Sequence, residues 1–284
     1  MAGWEGRNGG SFRTIAVLTA IPILGLFAYI VFRAIYPKVE PIAKTIAERK
    51  TTPQAKPAAP PATKPKPKGS IVLIIDDLGF EGQPLDRVMA LDPDINFAIL
   101  PNGNRAAQIA DRLNDGGFEI LVHLPMEPMG KESPGENAIL TSMSDAEITR
   151  LVRENVRAVP HARGVNNHMG SRATADRRVM ASVIGALPEG MYFVDSRTVG
   201  QSVAEDVARE LNVRTAARHV FLDDVRTTFA VRQQLAALAK MAEERGIAIG
   251  IGHPDRVTLD VLAAEIPRLK ARGFRFLRAS AVVN

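Results

Sequence analysis

The sequence contains no cysteine. That excludes disulfides, a thiolate nucleophile and any zinc site built on sulfur, and it is compatible with either side of a bacterial inner membrane. Aromatic residues are scarce. One Trp (Trp4, in the N-terminal tail) and three Tyr among 284 residues leave little of the stacking surface a strong sugar binder needs. No G-x-G-x-x-G follows the first apolar run, so a dinucleotide-binding fold has no support. One-sided charge is missing too, despite a formal net charge of +5. Residues 1–70 hold 11 basic and 3 acidic residues, whereas the rest holds 25 basic against 28 acidic. The larger part of the chain is mildly acidic and carries no nucleic-acid footprint.

What the sequence does have begins near the N-terminus. Ile15 to Phe32 reads IAVLTAIPILGLFAYIVF, 18 residues without a charge, which is close to the length that crosses a bilayer. No A-x-A cleavage site follows it, so an uncleaved anchor is expected over residues 15–36, after a short tail (1–14). Arg7 and Arg13 precede the span, while Arg33, Lys38, Lys44, Arg49 and Lys50 follow it. By positive-inside counting alone the bulk of the chain would be cytoplasmic. Residues 37–69 read as a linker. Within them PQAKPAAPPATKPKPK carries six prolines, a composition that favours an extended spacer of about 3.1 Å per residue.

From residue 70 onward, short apolar runs alternate with helical patterns, the signature of βα units around a parallel sheet. The runs are Ile71–Ile75, Ile95–Leu100, Phe118–Val122, Gly164–Asn166, Met191–Val194, His219–Leu222, Ile247–Ile251 and Phe274–Leu277. Ala106, Ile109, Ala110 and Leu113 share one helical face, and Gly116-Gly117 ends it. Ser144 with Glu147 forms a capping box for a helix over Asp145–Val159. Helices are also expected over Asp176–Leu187, Ser202–Leu211 and Phe229–Arg245, and Pro267 should break or restart the last one. Pro125–Thr141 reads as a long loop. Seven or eight such units fit a small parallel barrel, with an open doubly wound sheet as the alternative.

The polar residues fall at the carboxyl ends of these runs, the functional rim of any parallel α/β sheet. Asp76-Asp77, His123, Asn166-Asn167-His168, Asp195 and His253 all lie there. Three of the five histidines are in this set, whereas His161 and His219 read as ordinary surface or strand-start residues. Any one of these residues has a plain explanation, such as a helix cap or a loop hydrogen bond. Gathered on one rim, they point together to a functional site. Carboxylate with neutral imidazole suits Zn²⁺ or a similar divalent metal with open positions. Adjacent aspartates cannot both face one side of a regular strand. Where the strand ends and the backbone turns, one can bind metal while the other takes a proton from water. The composition therefore points to metal-assisted hydrolysis.

The segments IVLIIDDLGF, NFAILPNGN, GFEILVHLPMEP, GVNNHMGSR, FVDSRT, VFLDD and IGIGHP, in this order, resemble the divergent polysaccharide deacetylases, relatives of the NodB-like carbohydrate esterases. The resemblance covers Ile71 to Asn284 and implies a deformed parallel (β/α) barrel of about seven strands. It implies Asp76 as general base, Asp77 and His123 as ligands of a divalent metal (Zn in the first place), and His253 as general acid. In HLPME, Glu127 stands where the superfamily has its second His, so either Glu127 or His168 would complete the ligand set. NNHMGS lacks the superfamily's Arg-x-Pro. Asn167 is taken as substrate-binding, Asp195 as an orienting carboxylate, and Arg197 as its partner and a substrate contact. Asp223 lies on the rim without an assigned role.

The activity implied is removal of acetyl groups from a cell-envelope polysaccharide. The alternatives are a catalytically weak glycan-binding or scaffold protein on the same fold, and a hydrolase of another bond. The resemblance also implies a domain facing the periplasm from a single-pass inner-membrane anchor, against the charge count.

Overall fold

The computed structural model describes residues 67–284, together with residues 30, 31, 34 and 35. Most of the expected anchor and linker, and all of the N-terminal tail, lie outside the described residues. Among the described residues, no helix is long and apolar enough to cross a membrane.

The chain from residue 67 folds as an α/β unit around one parallel sheet. Its strands are β1 (Gly69–Leu78), β2 (Asn96–Ile99), β3 (Glu119–Met126), β4 (Gly164–Met169), β5 (Tyr192–Asp195), β6 (Thr215–Ala217), β7 (Val220–Phe221), β8 (Ile247–Gly252) and β9 (Phe274–Phe276). Eight run in the order β6-β5-β4-β3-β2-β1-β8-β7, and β9 pairs with β1 alongside them. Every pairing is parallel. The seven helices between them are α1 (Leu85–Met89), α2 (Ala106–Asp115), α3 (Asp145–Ala158), α4 (Arg177–Gly185), α5 (Ala204–Glu210), α6 (Thr228–Arg245) and α7 (Arg256–Ala271).

The sheet curls without closing. The β6 and β7 strands, three and two residues long, pair with β5 and β8 and not with each other, so the deformed barrel of about seven strands expected from the sequence is a curled eight-strand half-barrel with an open seam. Its two faces follow the strand period of two. Ile71, Leu73 and Ile75 pack outward into the layer shared with the helices. Val72 and Ile74 point inward with Ala98, Leu121, Tyr192, Val194, Ile249 and Ile251, and Ala279 and Val283 of the C-terminal turn fill the same interior. Polar contacts fix that turn at the end of the half-barrel away from the rim. Asn96 Oδ1 accepts from Ala279 N (2.8 Å), and Glu119 Oε1 accepts from Ser280 N (2.7 Å) and the Tyr192 hydroxyl (2.8 Å).

Most local signals hold. Ser144 and Glu147 form the reciprocal capping box, and Gly246, at φ +86°, ends α6. Pro267 neither breaks nor restarts α7, which runs through it. A missing N–H costs one helical hydrogen bond. Here the buried stripe Leu259, Leu262, Ile266 and Leu269 anchors the helix on both sides of the proline. The short β6 and α1 carry no periodic signal and were not expected.

Candidate active site

The inward columns of β1, β3, β4, β5 and β8 each end in a polar residue at the carboxyl rim. By the same parity, Asp76 stands above Val72 and Ile74, His123 above Leu121, Asn166 and His168 above Gly164, Ser196 above Tyr192 and Val194, and His253 above Ile249 and Ile251. The fold thus gathers residues from five strands at one end of the interior.

Asp77 has the wrong parity and is brought in by a defect. Between Ile75 and Leu78 the pairing of β1 advances three residues while β2 advances two, from Phe97 to Ile99. This is a bulge, which re-aims the bulged residues. Asp77 has a φ of +59°, a left-handed conformation that Asp tolerates better than most residues. The turn is secured from behind. Gln83 Nε2 donates to Asp77 O (2.6 Å), and Gln83 Oε1 accepts from Gly79 N (2.8 Å) and Phe80 N (2.9 Å). Gly103 packs so closely on Gly79 that a Cβ there would lie 2.2 Å from the Gly79 carbonyl oxygen. This accounts for the glycine at position 103.

Three donor atoms then form a nearly equilateral triangle. Asp77 Oδ1 lies 3.0 Å from His168 Nδ1 and 3.2 Å from His123 Nε2, and the two ring nitrogens are 3.1 Å apart. Tetrahedral ligands held at about 2.0–2.1 Å would be about 3.3 Å from one another, so the spacing is within a few tenths of an ångström of a zinc-like set. Asp77 Oδ1 is buried and receives no aligned hydrogen bond among the described residues. A carboxylate oxygen facing two ring nitrogens needs a proton or a cation between them. Asp77, His123 and His168 are therefore the residues that could hold a metal ion. Burial opposes the charge of Asp77, but the two imidazoles drawn against it hold its carboxyl well below the usual carboxylate range.

Asn166 organises the interior side. Its Nδ2 donates to Asp76 Oδ1 (2.8 Å) and its Oδ1 faces His123 Nδ1 (2.9 Å), all three residues being buried. A carboxylate only accepts, so the amide nitrogen belongs on Asp76 and the amide oxygen on His123. That places the His123 proton on Nδ1 and turns the Nε2 lone pair toward Asp77. Burial raises the Asp76 carboxyl above its usual range, partly offset by the nearby imidazoles of His123 and His253. A carboxylate of raised basicity, 3.6 Å from His123 Nε2, is suited to accept a proton.

Across the site, His253 Nε2 lies 3.6 Å from Asp77 Oδ2. Asp223, which the sequence left without a role, holds this histidine. Its Oδ1 is 2.9 Å from His253 Nδ1, and its Oδ2 accepts from His253 N (2.7 Å) and Thr258 Oγ1 (2.8 Å). Burial would lower the His253 pKa, but the hydrogen bond and charge of Asp223 outweigh it and carry it to about 9. His253 is thereby a proton donor at neutral pH, with Nε2 turned to the site.

Other expected residues lie elsewhere. Glu127 is not among the gathered donors. Its Oε2 accepts from Thr141 N (2.6 Å) and Thr141 Oγ1 (2.7 Å), and Oε1 lies 3.3 Å from Arg172 Nε. It fastens the base of the 127–141 loop, where Ile139 bridges to Met126. Asn167 has outward parity, so its side chain is spent on Ser196 N (2.8 Å) and Met169 O (2.7 Å) rather than offered to substrate. Asp195 shares the parity of Phe193, which packs outward, and accepts from the Arg197 backbone N–H (2.8 Å), not its guanidinium. The Arg197 guanidinium turns to Glu205 at 3.5 Å. Residues that sequence reasoning missed are Asn166 as the organiser, Asp223 as the holder of His253, and Gln83. Strand parity would have singled out Asn166 over Asn167.

The fold and site together define an open parallel half-barrel with paired carboxylates and histidines on its carboxyl rim. The chain belongs to the divergent polysaccharide deacetylase family, whose profile matches residues 73–283. The uncharacterized protein YibQ of Escherichia coli K12 is 35% identical over 217 residues, covering 76% of this chain and 68% of that protein. An uncharacterized protein of Haemophilus influenzae is 36% identical over 203 residues, 71% of this chain and 72% of its own. Among solved structures, an uncharacterized protein from Agrobacterium tumefaciens superposes with a TM-score of 0.73 at 20% identity, covering 78% of this chain and 92% of that one. This last likeness is one of fold.

Proposed function

We propose that the chain is a metal-dependent hydrolase that removes acetyl groups from a cell-envelope polysaccharide. The observation that carries this reading is the triangle of Asp77 Oδ1, His123 Nε2 and His168 Nδ1, with its buried oxygen lacking an aligned hydrogen bond. One carboxylate and two imidazoles form a donor set suited to Zn²⁺ with positions left open. Asp77, His123 and His168 would hold a divalent ion, which would supply Lewis acidity at the acetyl carbonyl and at water. Asp76, its carboxylate oriented by Asn166 and its basicity raised by burial, is the group suited to accept a proton from the attacking water. His253 gives a proton to the departing group, its imidazolium stabilised by Asp223. His123 and Asn166 keep Asp76 and the donor triangle in register. Both proton-handling groups adjoin the donor triangle, Asp76 Oδ2 at 3.6 Å from His123 Nε2 and His253 Nε2 at 3.6 Å from Asp77 Oδ2, as proton transfer at one carbonyl requires.

The scaffold alternative would need neither proton-handling group. Here each has a dedicated buried partner, Asn166 for Asp76 and Asp223 for His253, which supports turnover. The N-terminal apolar stretch and its proline-rich linker fit a single-pass inner-membrane protein whose catalytic domain reaches into the periplasm. Acetate release from acetylated envelope glycans by the full chain, with and without Zn²⁺, tests the reading. Zinc-dependent release that is lost in Asp76→Asn supports it. A metal-loaded chain that releases no acetate from any envelope fraction overturns it.

A further inference from the structure

The open seam of the half-barrel contains a cavity of about 460 Å³, within the range of small-molecule sites. Its side chains carry four guanidiniums, those of Arg197, Arg209, Arg218 and Arg245, against one carboxylate, Glu205. This concentration of positive charge stands in a part of the chain that is otherwise slightly acidic. Glu205 is shared between Arg197 (3.5 Å) and Arg209. Arg245 has no carboxylate within salt-bridge distance among the described residues. Arg218 donates to the carbonyls of Ser196 and Arg197, and Ser196 Oγ in turn accepts from Asn166 Nδ2 (3.3 Å), so this end of the cavity adjoins the active site.

His219 shapes the seam. Its N–H donates to Ile249 O (2.9 Å) and its ring Nδ1 accepts from Ile249 N (3.1 Å), which continues the β7–β8 pairing by one residue along the seam. With Nδ1 accepting, the ring proton belongs on Nε2, which adds a donor to the cavity wall. Apart from Asn284, the remaining lining is small or apolar, from Thr215, Ala216, Ala217, Ile247, Ile249 and Val282. Guanidiniums that outnumber carboxylates in a concave site recognise carboxylate or phosphate oxygens, with bidentate geometry available to each.

The geometry points to this seam as an anion-binding subsite that takes the carboxylate or phosphate group of an acidic sugar. Its use during catalysis rests on the hydrolase reading, whereas anion binding itself does not. Calorimetric titration of the chelator-treated full chain, which leaves phosphate no metal to coordinate, tests it with inorganic phosphate, glucose 1-phosphate, glucuronate and neutral glucose. Saturable binding of phosphate and of at least one charged sugar, with none of glucose, is expected. Arg209→Gln/Arg245→Gln should weaken it at least tenfold. The single Arg245→Gln, at an exposed position without a carboxylate partner, should weaken it in the same direction and guards against misfolding of the double variant. Asp77→Ala should bind the anions as the parent chain does, which separates this site from the metal site. A preference for glucose 1-phosphate or for glucuronate identifies the recognised group. Failure to saturate at tens of millimolar, or equal binding by the parent and both arginine variants, overturns the proposal.

Discussion

Asp223 grips His253 at two points, with one carboxylate oxygen on the ring Nδ1 (2.9 Å) and the other on the backbone N–H (2.7 Å). The carboxylate is buried and also accepts from Thr258. Ring orientation and proton position are thus set together, and the imidazolium form is favoured up to a pKa of about 9.

Replacing Asp223 by Asn should bring the His253 titration down from about 9 toward the ordinary histidine value, about 6.5. NMR titration of the His253 ring in the chelator-treated chain checks this. The stability consequence has a definite sign. A pKa higher in the folded than in the unfolded chain adds stability that is complete below about pH 6.5 and is lost as pH rises through about 9. The metal-free parent should therefore lose stability across that window, and Asp223→Asn should lose less. An unchanged midpoint in the variant would contradict the role given to Asp223.

Asn166→Ala removes the bridge between Asp76 and His123 and leaves a buried ring N–H without its acceptor. A cost of about 1–3 kcal/mol in unfolding free energy is expected, because the stranded group pays its full desolvation. Metal affinity should fall by about 10- to 100-fold, the usual effect of losing a partner that orients a ligand. Urea unfolding and a competitive metal titration read the two effects separately.

Glu127→Gln should leave metal stoichiometry unchanged, since its carboxylate serves Thr141 and Arg172. Loss of the loop fastening should appear as faster proteolysis within 127–141. A loss of bound metal equal to that of His123→Ala would return Glu127 to the ligand set.

Gly103→Ala places a methyl group against the Gly79 backbone at 2.2 Å, a contact that flexible side chains cannot relieve. Overpacking of this kind costs about 1–3 kcal/mol or more. Because Gly79 lies two residues beyond Asp77, metal affinity should fall together with thermal stability.

Much of this architecture was readable from periodicity. The alternating apolar runs gave the parallel strands, and Ser144, Glu147 and Gly246 marked helix ends through local hydrogen bonding and backbone conformation. The rim position of Asp76, Asp77, His123, His168 and His253 followed from their places at strand ends. Roles that depend on which face a side chain takes were harder to read. Asn167 and Asp195 were favoured for their type, but parity turns both away from the interior. Glu127 stands at a motif position, yet its carboxylate is claimed by a loop fourteen residues further on. Asp223 acts through His253, thirty residues away in the chain, a pairing only the β7–β8 contact brings about. The open seam was equally hidden, because it arises from strands of two and three residues too short to show a period.

The central claim is that Asp77, His123 and His168 hold one divalent metal. Its most direct test is the metal content of the purified full chain, compared with the Asp77→Ala and His123→Ala variants. The account predicts close to one zinc-like ion per chain after loading and dialysis, lost in both variants while their folds persist by circular dichroism. A parent chain that takes up no divalent metal, or variants that keep it, would contradict the account.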